Sequence, residues 1–289
     1  MAELRSLRGK NASVIESMRH RVEQEQREFD LSTAKIQAVR AVHLKLLRDV
    51  FQQLGAKALK AELAELAQTL QQKGLKLGVK KIVMMSGCPA GAPGDKTPNW
   101  ITSTVSWPDY MAPALEYQWN EVAIPWWKAF VAHCKAHGVE QIAIEEFPCM
   151  LVYNPETLWK LRNAVDPIVG INLDPSHLMA MGADPIASAR ALKGAIFHIH
   201  GKEARIERGL ADVNGLLETR PVTDSANRTW NYVAVGCGKD LQWWKEFFSV
   251  VRMSGYDEAV SLEMEDLTLS MLDGHLASLH VLREALNIE

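Results

Sequence analysis

The chain has 289 residues, 47% of them hydrophobic and 23% charged, with a formal net charge of -3. That balance excludes wholesale disorder, a nucleic-acid-binding field and a polybasic membrane surface, and the length suits one large α/β domain as well as two small ones. No apolar run approaches the roughly 18 residues of a membrane span, and residues 1–10 lack the apolar centre of a secretory signal, so a cytoplasmic location is expected.

In chain order, residues 1–76 differ in kind from the rest of the chain. Up to Gly78 there is no Pro and no Trp, whereas all 12 prolines and all nine tryptophans come later. Ala, Leu, Gln, Glu, Lys and Arg dominate, the residues with the best helix propensity. "NASVIESMRHRVEQEQREF", "IQAVRAVHLKLLRDVFQQLG" ending at Gly55, and "KALKAELAELAQTLQQKG" ending at Gly74 read as amphipathic helices, with apolar residues at spacings of three and four. They are expected to pack internally or to present a partner surface.

Residues 77–289 change to short apolar runs alternating with helical stretches. "KKIVMMSG", "EQIAIEEFP", "VGINLDP", "GAIFHIHGKE" and "EAVSLEMED" read as strands. "WWKAFVAHCKAHG", "ETLWKLRNAV", "DPIASARALKG" and "LQWWKEFFSVVRMSG" read as helices between them. Repeated strand–helix units imply parallel strands with right-handed crossovers, hence a doubly wound sheet or a barrel. The expectation is an α/β fold of (β/α) TIM-barrel type, incomplete at its N-terminal end and preceded by the helices. The four cysteines, Cys88, Cys134, Cys149 and Cys237, form no C-x-x-C pair and are read as structural thiols.

The polar residues at the strand ends carry the functional signal. Glu145, Asp174, His200 and Glu263 each follow a mostly apolar run, and in a parallel barrel all C-terminal strand ends share one mouth. Any one of them has an ordinary explanation: a loop carboxylate, a helix cap, a hydrogen-bonded core histidine. Three carboxylates gathered without a counter-charge repel one another, and a divalent metal with one imidazole and oxygen ligands resolves the conflict. One divalent cation is therefore expected, with Mn²⁺ or Mg²⁺ favoured and Zn²⁺ or Co²⁺ as alternatives. His198 is expected to face away from His200 and to be the weaker ligand candidate.

"SGCPAG", "KTPNW", "LVYNPETLWKLRNAV", "NLDPSH", "FHIHGKE", "VNGLLETR", "RTWNYVAVGCGKD" and "GYDEAVSLEMED" together resemble the sugar phosphate isomerase/epimerase family of xylose isomerase-like barrels. The resemblance runs from about Leu77 to the C-terminus. It implies a single divalent cation held by Glu145, Asp174, His200 and Glu263, and a substrate contact from His177. Three departures stand out: Phe147 in "EEFP" and Met264 in "LEMED", where close relatives often carry His, and Cys237 with Lys239 in "GCGKD".

The chemistry this implies is isomerisation or epimerisation of a keto-sugar or sugar derivative through a metal-stabilised enediolate, with Glu145 and Glu263 as paired base and acid. Lys202 is a candidate for neutralising an oxyanion, although a solvent-facing lysine is the plainer reading. Arg228, with Asn227 and Trp230, is read as a lid. Trp107 and Trp100 are read as mouth-lining aromatics that stack on a sugar. A lyase or C-glycoside deglycosidase-type subunit on the same site, and a non-catalytic metal-binding scaffold, are the alternatives. The expected partner is a small-molecule sugar, with no nucleic acid and no membrane; homo-oligomerisation or a partner subunit fits the helical N-terminal segment.

Overall fold

A computed structural model describes residues 80–102 and 109–287. The helical segment expected over residues 1–76, and Trp107, lie outside the described residues.

The chain enters the sheet with β1 (Lys81–Met85). Helix α1 (Met111–Tyr117) continues through one wide π-helical stretch (Gln118–Ala123) into α2 (Ile124–Ala136). Then come β2 (Gln141–Glu145), α3 (Pro155–Ala164) and β3 (Val169–Leu173). Short helices α4 (Pro175–Ala180) and α5 (Pro185–Ala191) lead to β4 (Ile196–Gly201). A hairpin-like pair comes next, β5 (Glu203–Ile206) and β6 (Trp230–Val233), separated by α6 (Arg208–Asn214) and a loop. Helix α7 (Leu241–Met253), strand β7 (Val260–Leu262) and helix α8 (Met271–Leu286) complete the described chain.

The main sheet has the order β1-β2-β3-β4-β7 with every pair parallel, and β5 pairs antiparallel with β6. All five strands of the main sheet are legible as apolar runs; the small pair is not. The described residues thus form part of an α/β barrel, its parallel strands alternating with helices as the sequence pattern predicts. Its central strand "VGINL" is buried throughout, as expected of a parallel strand covered on both faces. Helices pack outside it: Trp127, Leu158, Leu161, Trp244, Phe247 and Val251 form one core with Ile142, Ile144, Ile171 and Ile199 of the strands.

Local sequence sets the helix starts. Asn154 and Thr157 form a reciprocal capping box on α3 with Pro155 at its first position, and Asp240 caps α7 through Trp243 N–H at 2.8 Å. Gly170 in β3 is required by packing, because a methyl group there would lie 2.6 Å from the Ala195 carbonyl oxygen and overlap the Phe197 ring. No helix among the described residues is long and apolar enough to cross a membrane.

Candidate metal centre at the mouth of the sheet

Parallel strands put their C-terminal ends on one side, and four of the five in the main sheet end there in a donor. Glu145 is the last residue of β2, Asp174 and His200 close the runs of β3 and β4, and Glu263 follows β7 directly. The register staggers them. Glu145 is level with Asn172, His200 is level with Ser261, and Asp174 and Glu263 stand two residues beyond those levels. Strands that tilt across a barrel need such a stagger for their ends to meet. They do meet: one ligand atom from each of Glu145, Asp174, His200 and Glu263 lies within 4.8 Å of every other.

Asp174 performs both roles that the sequence leaves open. Its Oδ1 accepts from Ser176 N–H at 2.9 Å and Ser176 Oγ–H at 2.6 Å, which caps α4, while Oδ2 is left facing the cluster. Behind it, Glu146 Oε1 accepts the Asp174 backbone N–H at 2.9 Å. Glu146 is buried, and desolvation with the neighbouring Asp174 charge pushes its carboxyl well above the usual range.

His200 Nδ1 lies 2.8 Å from Glu263 Oε2 and 3.5 Å from both Glu145 Oε1 and Asp174 Oδ2. Yet Nδ1 and Asp174 Oδ2 are both buried without a hydrogen-bond partner. A nitrogen at ion-pair distance from three carboxylates, directed at none of them, fits a shared cation between the four donors. Nε2 of the same ring faces Asn172 Nδ2 at 3.0 Å, while Asn172 Oδ1 is unpartnered. A cation on Nδ1 leaves the ring proton on Nε2, and a half-turn of the Asn172 amide gives that proton its acceptor.

Without a cation the imidazolium carries the balancing charge. Burial works against it, but Asp174, Glu145 and Glu263 raise the His200 pKa to about 12. Burial likewise works to raise Asp174 and Glu263; His177, His200 and Lys202 hold Asp174 far below the usual carboxylate range, and His200 with Lys202 hold Glu263 at about 2.

Lys202 is not solvent-facing, contrary to the plainer reading of its sequence position. It is 2% exposed, with Nζ 3.1 Å from Glu263 Oε1, 3.1 Å from Glu265 Oε1, 3.9 Å from Asp174 Oδ2 and 4.5 Å from the centre of the Tyr232 ring. Burial opposes its charge, but Asp174, Glu263 and Glu265 more than compensate, so it stays cationic. Glu265 and Tyr232 carry no signal in the sequence beyond lying in recognisable motifs.

His177 is fully buried, with both ring nitrogens engaged: Nδ1 with Tyr232 Oη at 3.0 Å, and Nε2 with Glu145 Oε1 at 3.1 Å beside Asp174 Oδ2 at 3.2 Å. It is closed off from solvent and packed against two of the four carboxylate and imidazole donors. Arg228 is also buried: its guanidinium donates to the Arg220 and Trp230 carbonyls and stacks on Trp230 at 4.7 Å. Trp100 meets Tyr153 edge-on at 5.5 Å.

His198 shares a face with His200 instead of pointing away from it. Residues two apart on a strand lie on the same side of the sheet, and the two rings are 5.8 Å apart. Depth separates them: His198 sits further from the mouth, bonded to Ser261 Oγ at 2.8 Å, and desolvation with the nearby His200 charge lowers its pKa to about 4.

Two of the departures are packing residues. Phe147 meets the His177 ring at 4.4 Å, and buried Met264 fills the space beside Gly274, where a methyl group would lie 2.7 Å from its sulfur. The turn at Lys239 is held by Glu203, which accepts Lys239 N–H and, at 2.6 Å, Gly236 N–H.

Residues 76–285 match the family model described as xylose isomerase-like TIM barrel. Over 220 residues the chain is 63% identical to a Bacillus subtilis (strain 168) protein described as uncharacterized protein YfiH, spanning 76% of this chain and 70% of that one. Among solved structures it is similar to the probable 3-DHS dehydratase AsbF of Bacillus anthracis, with TM-score 0.53 and 19% identity over 80% of this chain and 72% of that one. It is similar also to the IolI protein with a bound zinc atom, with TM-score 0.51 and 18% identity over 82% and 73% of the two chains. A Mycobacterium smegmatis barrel protein in complex with magnesium gives TM-score 0.50 and 13% identity over 81% and 69%. At such identities these structures speak for the fold.

Proposed function

The chain belongs to the family of xylose isomerase-like TIM barrels, and from that premise we propose that it is a divalent-metal-dependent isomerase or epimerase of a keto-sugar or sugar derivative. The observation that carries this reading is the convergence of Glu145, Asp174, His200 and Glu263 within 4.8 Å at the sheet mouth. These four would hold the cation, Mn²⁺ or Mg²⁺ by their oxygen-rich chemistry. A bound cation supplies Lewis-acid polarisation of a substrate carbonyl and its neighbouring hydroxyl, which acidifies the C–H between them.

The chain's own residues do the rest. Glu145 and Glu263 come from β2 and β7 and flank Asp174 and His200 in the sheet order, so they can address a substrate carbon from two sides. One takes the proton and the other returns one, which epimerises the carbon or moves the carbonyl. Lys202, cationic and fixed against Glu263, stabilises negative charge developing on the substrate oxygen beside it. A lyase reading uses the same first step with loss of a leaving group, and Glu265 beside Lys202, its carboxyl pushed up by burial, favours it as a source of the proton that group needs.

The test is deuterium wash-in from D₂O across ketoses, keto-inositols and matching alditols, with Mn²⁺-replete full-length protein. Ketoses should exchange and alditols should not; Glu145→Gln should abolish exchange while weakening Mn²⁺ binding far less. Exchange accompanied by release of a leaving group would select the lyase. No exchange by any carbonyl substrate at full metal occupancy would end the enzymatic reading and leave a metal-binding scaffold.

A further inference from the structure

Two aromatic residues close His177 off from the mouth. Phe147 abuts the imidazole at 4.4 Å with the rings inclined at 65°, and Tyr232 meets it edge-on at 5.7 Å while its hydroxyl lies 3.0 Å from Nδ1. The opposite nitrogen contacts two of the four donors, Glu145 Oε1 at 3.1 Å and Asp174 Oδ2 at 3.2 Å. Tyr232 is itself anchored, because β6 pairs with β5 across Ala204↔Tyr232 and Lys202 Nζ lies 4.5 Å from its ring centre.

We infer that Tyr232 and His177 form a buried strut that orients Glu145 and Asp174 for the cation, so that His177 is a positioning residue rather than a substrate contact. The inference rests on the metal-site reading above. Its chemistry comes from the donor inventory. Carboxylates only accept, so Nε2 carries the proton that reaches Glu145, and in that neutral tautomer Nδ1 accepts from the Tyr232 hydroxyl. The chain of donors runs one way, from Tyr232 O–H to Nδ1 and from Nε2–H to Glu145 Oε1. It fixes the tautomer and the ring plane together, and through them the Glu145 oxygen on the edge of the cluster. Asp174 is bonded from two directions, its cap on α4 and the Glu146 bond to its backbone, and the imidazole stands against its free Oδ2 at 3.2 Å. Phe147 fits the same account, since an apolar ring against the imidazole leaves no place for a competing acceptor.

Three variants and one spectrum test it, using the full chain and Mn²⁺ alone as probe. His177→Leu should weaken Mn²⁺ binding by about 10- to 100-fold, the range for outer-shell partners of metal ligands. His177→Gln, whose amide can donate to the same carboxylate, should recover most of that loss. Tyr232→Phe keeps the ring beneath Lys202 and removes only the hydroxyl; it should weaken Mn²⁺ by up to about tenfold. Asp174→Ala serves as the reference for the metal site. If Asp174→Ala destroys binding while His177→Leu binds as tightly as wild type, the strut is refuted and the metal site stands. If Asp174→Ala binds normally, the metal reading itself has failed. The spectrum needs no variant to fold: imidazole ¹⁵N correlations of wild type should show the buried ring protonated at Nε2 and bare at Nδ1. A proton on Nδ1 with Nε2 bare overturns the inference.

Discussion

β3 and β7 deliver donors to one cluster under opposite conditions. β3 is paired on both sides, its five residues are all buried, and it ends in a fully buried Asp174. β7 has three residues, pairs only with β4 among the described strands, and has no buried residue; the Glu263 side chain just past its end is 35% exposed. The central donor is therefore positioned by the fold, through a helix cap and a buried carboxyl behind its backbone. The edge donor is positioned by ion pairs alone, to His200 and Lys202. The two halves of the site should respond differently to the same injury.

The largest difference is expected in metal affinity. Asp174→Ala removes a donor whose surroundings exclude water, so Mn²⁺ binding measured calorimetrically should fall by at least about 100-fold, beyond what outer-shell changes cost. Glu263→Ala leaves room for water in the vacated, partly exposed position, and the loss should be about tenfold. Equal losses would show that the edge of the cluster is as rigid as its centre.

Stability should divide the same way. Gly170→Ala forces a methyl group against the Ala195 carbonyl and the Phe197 ring in the middle of the sheet, and should cost about 2 to 3 kcal/mol in urea unfolding. Ser261→Ala in β7 loses one hydrogen bond to His198 and should cost less than about 1 kcal/mol. A Gly170→Ala protein of wild-type stability would mean that β3 is looser than its burial implies.

How far the sequence reaches obeys the same division. The five main-sheet strands and their four donors are legible because an apolar run that stops at a polar residue is a local pattern, and parallel topology converts it into a shared mouth. β5 and β6 are not legible: "EARI" mixes charge with two apolar residues, and only pairing with a segment nearly 30 residues later makes it a strand. Lys202 reads as solvent-facing because its partners, Glu263 and Glu265, lie more than 60 residues away. The burial of His177 is hidden for the same reason, since Tyr232, which its Nδ1 meets, is 55 residues downstream. Glu146, second in "EEFP", carries no signal of its own, because only the fold brings the Asp174 backbone N–H within 2.9 Å of it.

A pH experiment sharpens the contrast between dry and wet positions. Glu203, fully buried at the start of β5, is desolvated more than its bonds to Gly236, Lys239 and Trp244 compensate, and its pKa rises to about 7. Because the folded state holds this proton more tightly than the unfolded chain, the group's contribution is full below the unfolded carboxylate value. It is lost as pH rises through about 7. The stability difference between wild type and Glu203→Gln, measured on metal-free protein, should fall by about 2 kcal/mol from pH 5 to pH 8. Taking that difference separates Glu203 from His198 and His200, which titrate elsewhere on the same curve. A flat difference would mean that water reaches the Gly236–Lys239 turn.

The smallest effect is expected at Leu276 on α8, a helix that shows both environments. Leu282 is 5% exposed, and its δ-methyl leaves no room for a side chain at Gly201 at the end of β4; Leu272, Leu276 and Leu279 recur at helical spacing on a face that is 42% exposed or more. Leu282→Ala should cost about 2 to 3 kcal/mol, because it empties a packed position. Leu276→Ser should stay within about 0.5 kcal/mol, because a surface leucine has little burial to lose. The informative result lies in the second variant. A cost above about 1 kcal/mol, or a midpoint that shifts with protein concentration only in wild type, would show that this stripe is covered in solution. The exposed edge at β7 and α8 would then be a contact surface, and the contrast between the two sides of the sheet would end there.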